Sequence, residues 1–93
     1  MPTKVQTIDI EGLRRYGHKD GQSCFLVSHG HAGSPFKIDR YDYLENAIKN
    51  AQKKVKEGFS VDVADVCKPA GERILAYGHE GKLLHWRSEL EIR

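Results

Sequence analysis

Apolar residues recur with a helical period in the middle of the chain. Between Tyr41 and Glu57 they fall three or four positions apart, which places them on one side of a helix. The apolar positions are Tyr41, Leu44, Ala47, Ile48, Ala51 and Val55. Asp42 and Glu45 have the spacing of a capping box, and a glycine follows the segment as a stop signal. The pattern predicts one amphipathic helix over 41–57.

On both sides of this helix apolar and polar residues alternate, which is typical of strands. The strand-like runs cover residues 7–11, 24–28, 59–64, 74–77 and 82–87. The first two runs are separated by the glycine-containing segment 17–21, and this predicts a hairpin. The last two flank Gly78-His79-Glu80-Gly81 and predict a second hairpin, with Tyr77 opposite Lys82 across a four-residue loop.

These elements predict an α+β fold with the order β-β-α-β-β-β. We expect a single antiparallel sheet of four to five strands, with the one amphipathic helix packed on one face. In the second hairpin both sides are apolar, because Ala76 and Leu83 fall on one side and Leu84 and Trp86 on the other. The face away from the helix is therefore covered by the loop 29–38 or by a partner, or it is an exposed patch.

Size and composition narrow the class of protein. The chain has 93 residues, of which 39% are hydrophobic, so residues 1–93 are expected to form one small soluble domain around one core. The first residues lack the apolar stretch of a secretory signal, and no apolar run is long enough to span a bilayer. We therefore expect a cytoplasmic protein with no membrane partner, in which Cys24 and Cys67 are reduced and buried.

The net charge of +2, from 15 Lys+Arg against 13 Asp+Glu, is too small to indicate a charge-driven partner for the whole chain. Locally, Lys49, Lys53 and Lys56 lie at i, i+4 and i+7 on the predicted helix and share one basic face. Arg14 and Arg15 form a second basic spot. Such a face contacts phosphates or an acidic protein surface, or it is simply solvated.

The closing hairpin combines Tyr77, Trp86 and Arg87. Tyr, Trp and Arg are the residue types that most often dominate binding energy at interfaces, because they bury a large area and keep directed donors. The competing interpretation is that Trp86 packs in the core of the domain. The eight residues Lys49, Lys53, Lys56, Tyr77, Trp86, Arg87, Arg14 and Arg15 are the predicted binding residues.

The segment 28–35 is rich in histidine, glycine and serine. His29 and His31 do not belong to a paired Cys or His motif with zinc-type spacing. A serine of this segment with His29 and Asp39 supplies the residue types of a nucleophilic site, but the Gly-x-Ser-x-Gly turn is missing. We interpret the segment as a solvated loop joining a strand to the helix, and predict no catalytic residue, no metal and no cofactor.

A short internal similarity links the two predicted hairpins. Residues 16–21 and 77–81 both begin with Tyr-Gly-His and both end in an acidic residue and a glycine. We interpret both as turns with the same glycine chemistry, and expect each turn to display a histidine.

Leu75-Ala76-Tyr77, followed by Glu80-Gly81-Lys82 and Trp86, resembles the closing hairpin of certain very small phage-encoded CRISPR inhibitors. The predicted β-β-α-β-β-β order is similar to theirs as well. The resemblance implies a non-catalytic viral or mobile-element protein that occupies the working surface of a nucleoprotein complex through a basic or aromatic patch. It implies no catalytic residue.

These observations favour a non-catalytic binding module that acts as inhibitor, regulator or accessory factor of a protein or nucleoprotein complex. The alternative is direct binding of nucleic acid by the lysine stripe. A small metal-dependent or hydrolytic enzyme is the third class. Two apolar sheet faces also permit a homodimer.

Overall fold

The computed structural model describes residues 6–87 and 89–93 of the chain, which form nine elements. The two helices are α1 (Ile10–Arg15) and α2 (Leu44–Lys56). The strands are β1 (Thr7–Ile8), β2 (Phe25–Gly30), β3 (Lys37–Tyr41), β4 (Ser60–Asp65), β5 (Ile74–His79), β6 (Lys82–His85) and β7 (Glu91–Ile92). Within the described ranges, neither helix is long and apolar enough to cross a membrane.

All strands belong to one sheet with the order β1-β7-β6-β5-β4-β2-β3. β1 and β7 pair in parallel, and the other neighbours pair antiparallel. The protein is therefore a small compact α+β domain, which confirms the predicted α+β class. The predicted antiparallel sheet of four to five strands with one helix is wrong, because the sheet is mixed, has seven strands and is accompanied by two helices. β1 and β7 have two residues each, too few for alternation to reveal them.

The predicted first hairpin is also wrong, because the chain forms α1 directly after β1. The Asp9 side chain caps this helix by accepting a hydrogen bond from the Gly12 amide at 2.8 Å, and Leu13 is fully buried. β2 pairs instead with β3 and β4. The segment 29–38 is therefore not a loop leading into a helix: its ends belong to β2 and β3, and 31–36 is their exposed connection.

The predicted amphipathic helix is present as α2, although it begins later than expected because Tyr41 belongs to β3. The buried residues of α2 are Leu44, Ala47, Ile48, Ala51 and Val55. The predicted capping box is wrong. Asp20, from the segment after α1, accepts a hydrogen bond from the Leu44 amide at 2.8 Å, whereas the Asp42 carboxylate accepts from the amide and hydroxyl of Ser23.

The second predicted hairpin is confirmed as β5 and β6, but its register differs. His79 lies opposite Lys82, so the loop is the two-residue turn Glu80-Gly81, whose φ angles are 52° and 78°. Two consecutive positive φ angles are typical of a type I′ turn, which matches the twist of the paired strands. Tyr77 lies opposite Leu84 rather than Lys82.

Cys24 and Cys67 form a disulfide, with their Cα atoms 5.5 Å apart, so the prediction of two reduced cysteines is wrong for this structure. The cause is strand pairing: Phe25 lies opposite Asp65 in the antiparallel β2–β4 ladder. The residue before β2 and the residues after β4 therefore meet at the same end of the sheet. Cys24 is buried and Cys67 is exposed.

The two Tyr-Gly-His segments adopt unrelated structures. Tyr16-Gly17-His18 follows the last turn of α1, and His18 is buried, whereas Tyr77-Gly78-His79 is the end of β5 and His79 is exposed. The expectation that both turns display a histidine is correct for His79 and wrong for His18.

Candidate functional site

The sheet has one face packed against α2 and an opposite face, which we call the open face. On the α2 side the cross-strand row Val27, Val63, Ala76 and His85 is buried. The neighbouring row points to the open face and consists of Ile38, Ser28, Asp62, Tyr77 and Leu84. Every residue of this second row retains some solvent exposure, and Ile38 at the β3 edge is 64% exposed.

The open face carries an aromatic pair, formed by exposed Trp86 and half-buried Tyr77. Trp86 directly follows β6 and is 54% exposed, so it is not a core residue. Its ring stands edge-on to the ring of Tyr77, with centroids 5.8 Å apart and an interplanar angle of 81°. This is a favourable geometry for two aromatic quadrupoles.

The remaining predicted residue of the hairpin, Arg87, does not join this pair. It lines a different cleft, of about 160 Å³, together with His85 and Lys68. Its guanidinium donates to the Glu72 carboxylate at 3.3 Å. The structure thus brings Tyr77 and Trp86 together and separates Arg87 from them.

The predicted basic residues also fall into separate groups. Lys49, Lys53 and Lys56 are all exposed on α2. Lys49 pairs with Glu45 at 3.0 Å, which neutralises part of the stripe. Lys56 lines a cleft of about 350 Å³ between the end of α2 and the strands β6 and β7.

We call this second cleft the basic cleft. Lys82 and Arg93 line it together with Lys56, and its acidic residue, Glu91, pairs with Arg93 at 3.5 Å. Lys82 and Arg93 are not among the predicted binding residues, because their position beside Lys56 depends on the packing of α2 next to β6 and β7.

Arg14 and Arg15 lie in the last turn of α1. Arg14 is held by two carboxylates, those of Glu11 and Asp20, so its charge is compensated locally. Arg15 is exposed and lines a further cleft beside β1. The two arginines therefore present less positive charge to a partner than their sequence positions indicate.

A buried polar chain lies under the cleft that contains Arg87. Nδ1 of His18 is 3.1 Å from the Asp65 carboxylate, and Nε2 of His18 is 3.4 Å from Nε2 of His85. All three side chains are buried. An ionised carboxylate accepts only, so His18 donates from Nδ1 to Asp65 and accepts at Nε2 from His85. This arrangement leaves Nδ1 of His85 as a buried acceptor without a partner among the described residues.

His18 and His85 are both neutral near pH 7. Burial lowers the pKa of His18, and the attraction of Asp65 offsets this lowering in part. Burial also lowers the pKa of His85, to about 4, with smaller contributions from His18 and Arg87. The pair is a hydrogen-bonded element that resists protonation.

Of the nucleophilic constellation considered from the sequence, the structure brings His29 and Asp39 together but not Ser28. Nε2 of His29 does lie 3.0 Å from the Asp39 carboxylate, because the two residues lie two register positions apart on the paired strands β2 and β3. Ser28 precedes His29 on β2, and side chains alternate along a strand, so its hydroxyl lies on the other face of the sheet. His31 stacks on Phe59 with centroids 4.4 Å apart.

Among the described residues, one group has the composition and spacing of metal ligands, and it does not include His29 or His31. The ligand atoms of Cys24, Asp65 and Cys67 all lie within 4.8 Å of one another. This group is not among the residues predicted from the sequence. The local signal was Asp65-Val66-Cys67, but the third member is 43 residues from Cys67 along the chain.

Comparison with protein-family models, with curated proteins and with solved structures finds no match for this chain.

Proposed function

We propose that this protein is a non-catalytic binding module that docks another protein on its open face through Tyr77 and Trp86. The observation that carries the proposal is the Tyr77–Trp86 pair on the sheet surface opposite α2, in which exposed Trp86 stands edge-on to half-buried Tyr77. An indole that is already oriented loses little side-chain entropy on binding, which is why rigid aromatic residues are effective interface anchors.

The surroundings of the pair support a protein as the partner. Leu84 lies directly opposite Tyr77, so an apolar side chain flanks the pair. Exposed Ile38 lies at the β3 edge, separated from Tyr77 by Asp62 and Ser28. Asp62, also opposite Tyr77, supplies an acidic group within this surface. Apolar anchors with polar groups beside them are typical of protein interfaces, and an acidic group next to Tyr77 disfavours a phosphate backbone.

The role of inhibitor, regulator or accessory factor is part of this proposal, and so is a cytoplasmic location. The resemblance to phage-encoded CRISPR inhibitors stays a prediction. A homodimer through the open face is one outcome of the experiment below, because the same apolar surface on a second copy would be self-complementary.

Replacing Trp86 with alanine is expected to weaken binding of the protein partner by about tenfold or more, the effect of losing a central aromatic anchor. A partner is first captured with the wild-type protein from a lysate of its native cell, identified and purified. Its affinity for wild type and variant is then measured by calorimetry. Light scattering of the protein alone detects self-association at the same concentrations.

Tyr43→Ala is the matched control, because Tyr43 is an exposed aromatic of similar accessibility, 60%, at the start of α2. The backbone amide of Trp86 donates to Leu75, so truncating the indole leaves this hydrogen bond intact. Equal affinities for wild type and Trp86→Ala, with the control also unchanged, would contradict docking through the open face.

The basic cleft favours a second candidate function, the binding of nucleic acid. Lys56, Lys82 and Arg93 line it together with one acidic residue, so the residues around the cleft carry an excess of positive charge. A phosphate group placed in it would release counterions, and the affinity would fall steeply with salt.

The double variant Lys56→Glu with Lys82→Glu is expected to abolish any gel-shift complex that the wild type forms with single- or double-stranded nucleic acid at low salt. Lys49→Glu serves as the control, since Lys49 is already paired with Glu45 and lies outside the cleft. Failure of the wild type to bind at low salt would eliminate this candidate.

A further inference from the structure

We propose that reduction of the Cys24–Cys67 disulfide creates a zinc site in which the two thiolates and the Asp65 carboxylate are the protein ligands. This site is separate from the open face and from the basic cleft. It therefore goes beyond the proposed function and does not depend on it.

The ligand set is assembled by strand pairing. Val66 donates its amide hydrogen to the Cys24 carbonyl at 2.8 Å, which ties the start of β2 to the segment after β4. The two sulfur atoms and a carboxylate oxygen of Asp65 lie within 4.8 Å of one another. In a tetrahedral zinc site, bond lengths of about 2.3 Å to sulfur and 2.1 Å to oxygen place ligand atoms about 3.6 to 3.8 Å apart. The sulfurs therefore need only small movements once they are no longer bonded.

Asp65 is a buried carboxylate, 2% exposed, without a lysine or arginine partner among the residues that the structure describes. It accepts hydrogen bonds from Nδ1 of His18 and from the amide of Cys67. A buried carboxylate without a cationic partner is costly in its ionised form, and a divalent cation beside it removes that cost. The electrostatic requirement of Asp65 thus points in the same direction as the ligand geometry.

His18 acts as a positioning residue for this site. It holds the Asp65 carboxylate from the side of the protein interior, and it is held in turn by His85. Such outer hydrogen bonds fix the orientation of a metal ligand. Cys67 is exposed, so reductants, the metal and a fourth ligand from solvent can reach the site.

The site forms in two steps, reduction of the disulfide and then binding of zinc. A dithiol supplies two electrons and two protons; the S–S bond breaks, two S–H bonds form, and the dithiol is oxidised to its own disulfide. Zn²⁺ then binds the two sulfurs and Asp65, and the two thiol protons pass to solvent. Two thiolates and a carboxylate suit zinc, which binds both sulfur and oxygen ligands.

The experiment measures zinc bound to the full chain after anaerobic desalting, in the oxidised form and after reduction by dithiothreitol. We expect one zinc ion per reduced chain and fewer than about one per ten oxidised chains, because the disulfide sulfurs are not ligands. Cobalt(II) in place of zinc is expected to give the near-ultraviolet thiolate-to-metal absorption of a tetrahedral site. Asp65→Asn and His18→Gln are expected to weaken zinc binding by about ten- to a hundredfold in the reduced protein.

Asp39→Asn is the matched control, because Asp39 is also hydrogen bonded to a histidine, His29, in another part of the sheet. Its affinity for zinc should equal that of the wild type. Circular dichroism in EDTA shows whether the reduced chain stays folded without metal. If reduction unfolds the chain, zinc must restore the native spectrum in the wild type but not in Asp65→Asn.

Three results would overturn the proposal: no more zinc on the reduced than on the oxidised chain, equal affinity in wild type and Asp65→Asn, or a reduced chain that zinc does not refold. The open-face proposal is tested with Trp86→Ala in the oxidised protein, so either proposal can fail without the other.

Discussion

Replacing both cysteines, Cys24→Ala with Cys67→Ser, is expected to lower the free energy of unfolding by about 4 kcal/mol. The disulfide spans 43 residues, and closing a loop of this length removes about that much conformational entropy from the unfolded chain at 25 °C. The loop contains β2, β3, α2 and β4, and so most of the core. Because small domains are stable by only about 5 to 15 kcal/mol, the variant should unfold at much lower urea concentrations.

Urea titrations of both proteins in EDTA measure the difference without a contribution from metal. The reduced wild type should unfold at nearly the same urea concentration as the double variant, because both lack the covalent link. If the free energy of unfolding of the double variant lay within about 1 kcal/mol of that of the oxidised wild type, the disulfide would not stabilise the protein by restricting the unfolded chain.

Acid is expected to destabilise the protein between pH 6.5 and about 4 through His85. The pKa of His85 is lowered to about 4 in the folded protein from an ordinary 6.5, so the unfolded state binds more protons in this window. The contribution of His85 to the free energy of unfolding is therefore complete above pH 6.5, and it is lost as the pH is lowered towards 4. His85 contributes a loss of roughly 3 kcal/mol over the window, and His18, whose pKa is also lowered, adds to it.

The measurement is the free energy of unfolding at pH 7 and pH 4.5 for wild type, His85→Gln and His79→Gln. Glutamine does not titrate and can still donate to His18, so His85→Gln should lose much of the pH dependence. His79 is exposed, and His79→Gln should retain it. If His85→Gln kept the full pH dependence of the wild type, the buried pair of His18 and His85 would not govern stability in acid. Carboxylates titrate in all three proteins, so the comparison isolates the histidine.

The elements predicted correctly are those with strong local signals. α2 has 13 residues, long enough for its apolar stripe to be evident, and the stripe from Leu44 to Val55 is buried as predicted. The β5–β6 hairpin was found because glycines flank its turn, and Ala76, Leu83 and Leu84 fall on the predicted sides. Its register was wrong because Tyr77-Gly78-His79 was assigned partly to the turn, whereas it continues β5.

The errors share one cause, which is that short segments take their structure from distant ones. Residues 7–11 alternate like a strand for only a few positions, and after the Asp9 cap Ile10 and Glu11 already belong to α1. β1 and β7 become strands by pairing with each other, although they are separated by almost the whole chain. The start of α2 is likewise capped by a distant residue, because the Leu44 amide donates to the Asp20 carboxylate instead of to a side chain of the predicted capping box.

By itself, the sequence determined a small α+β domain, one amphipathic helix and the closing hairpin, because helical and strand periodicity are properties of neighbouring residues. Only the tertiary structure decided which candidate residues share a site. Tyr77 and Trp86 meet because β5 pairs with β6, whereas Arg87 lies elsewhere. Asp65 joins His18, 47 residues away, and lies beside Cys24 because β2 and β4 are antiparallel neighbours. Such pairings depend on the order and register of strands, which composition and spacing do not encode.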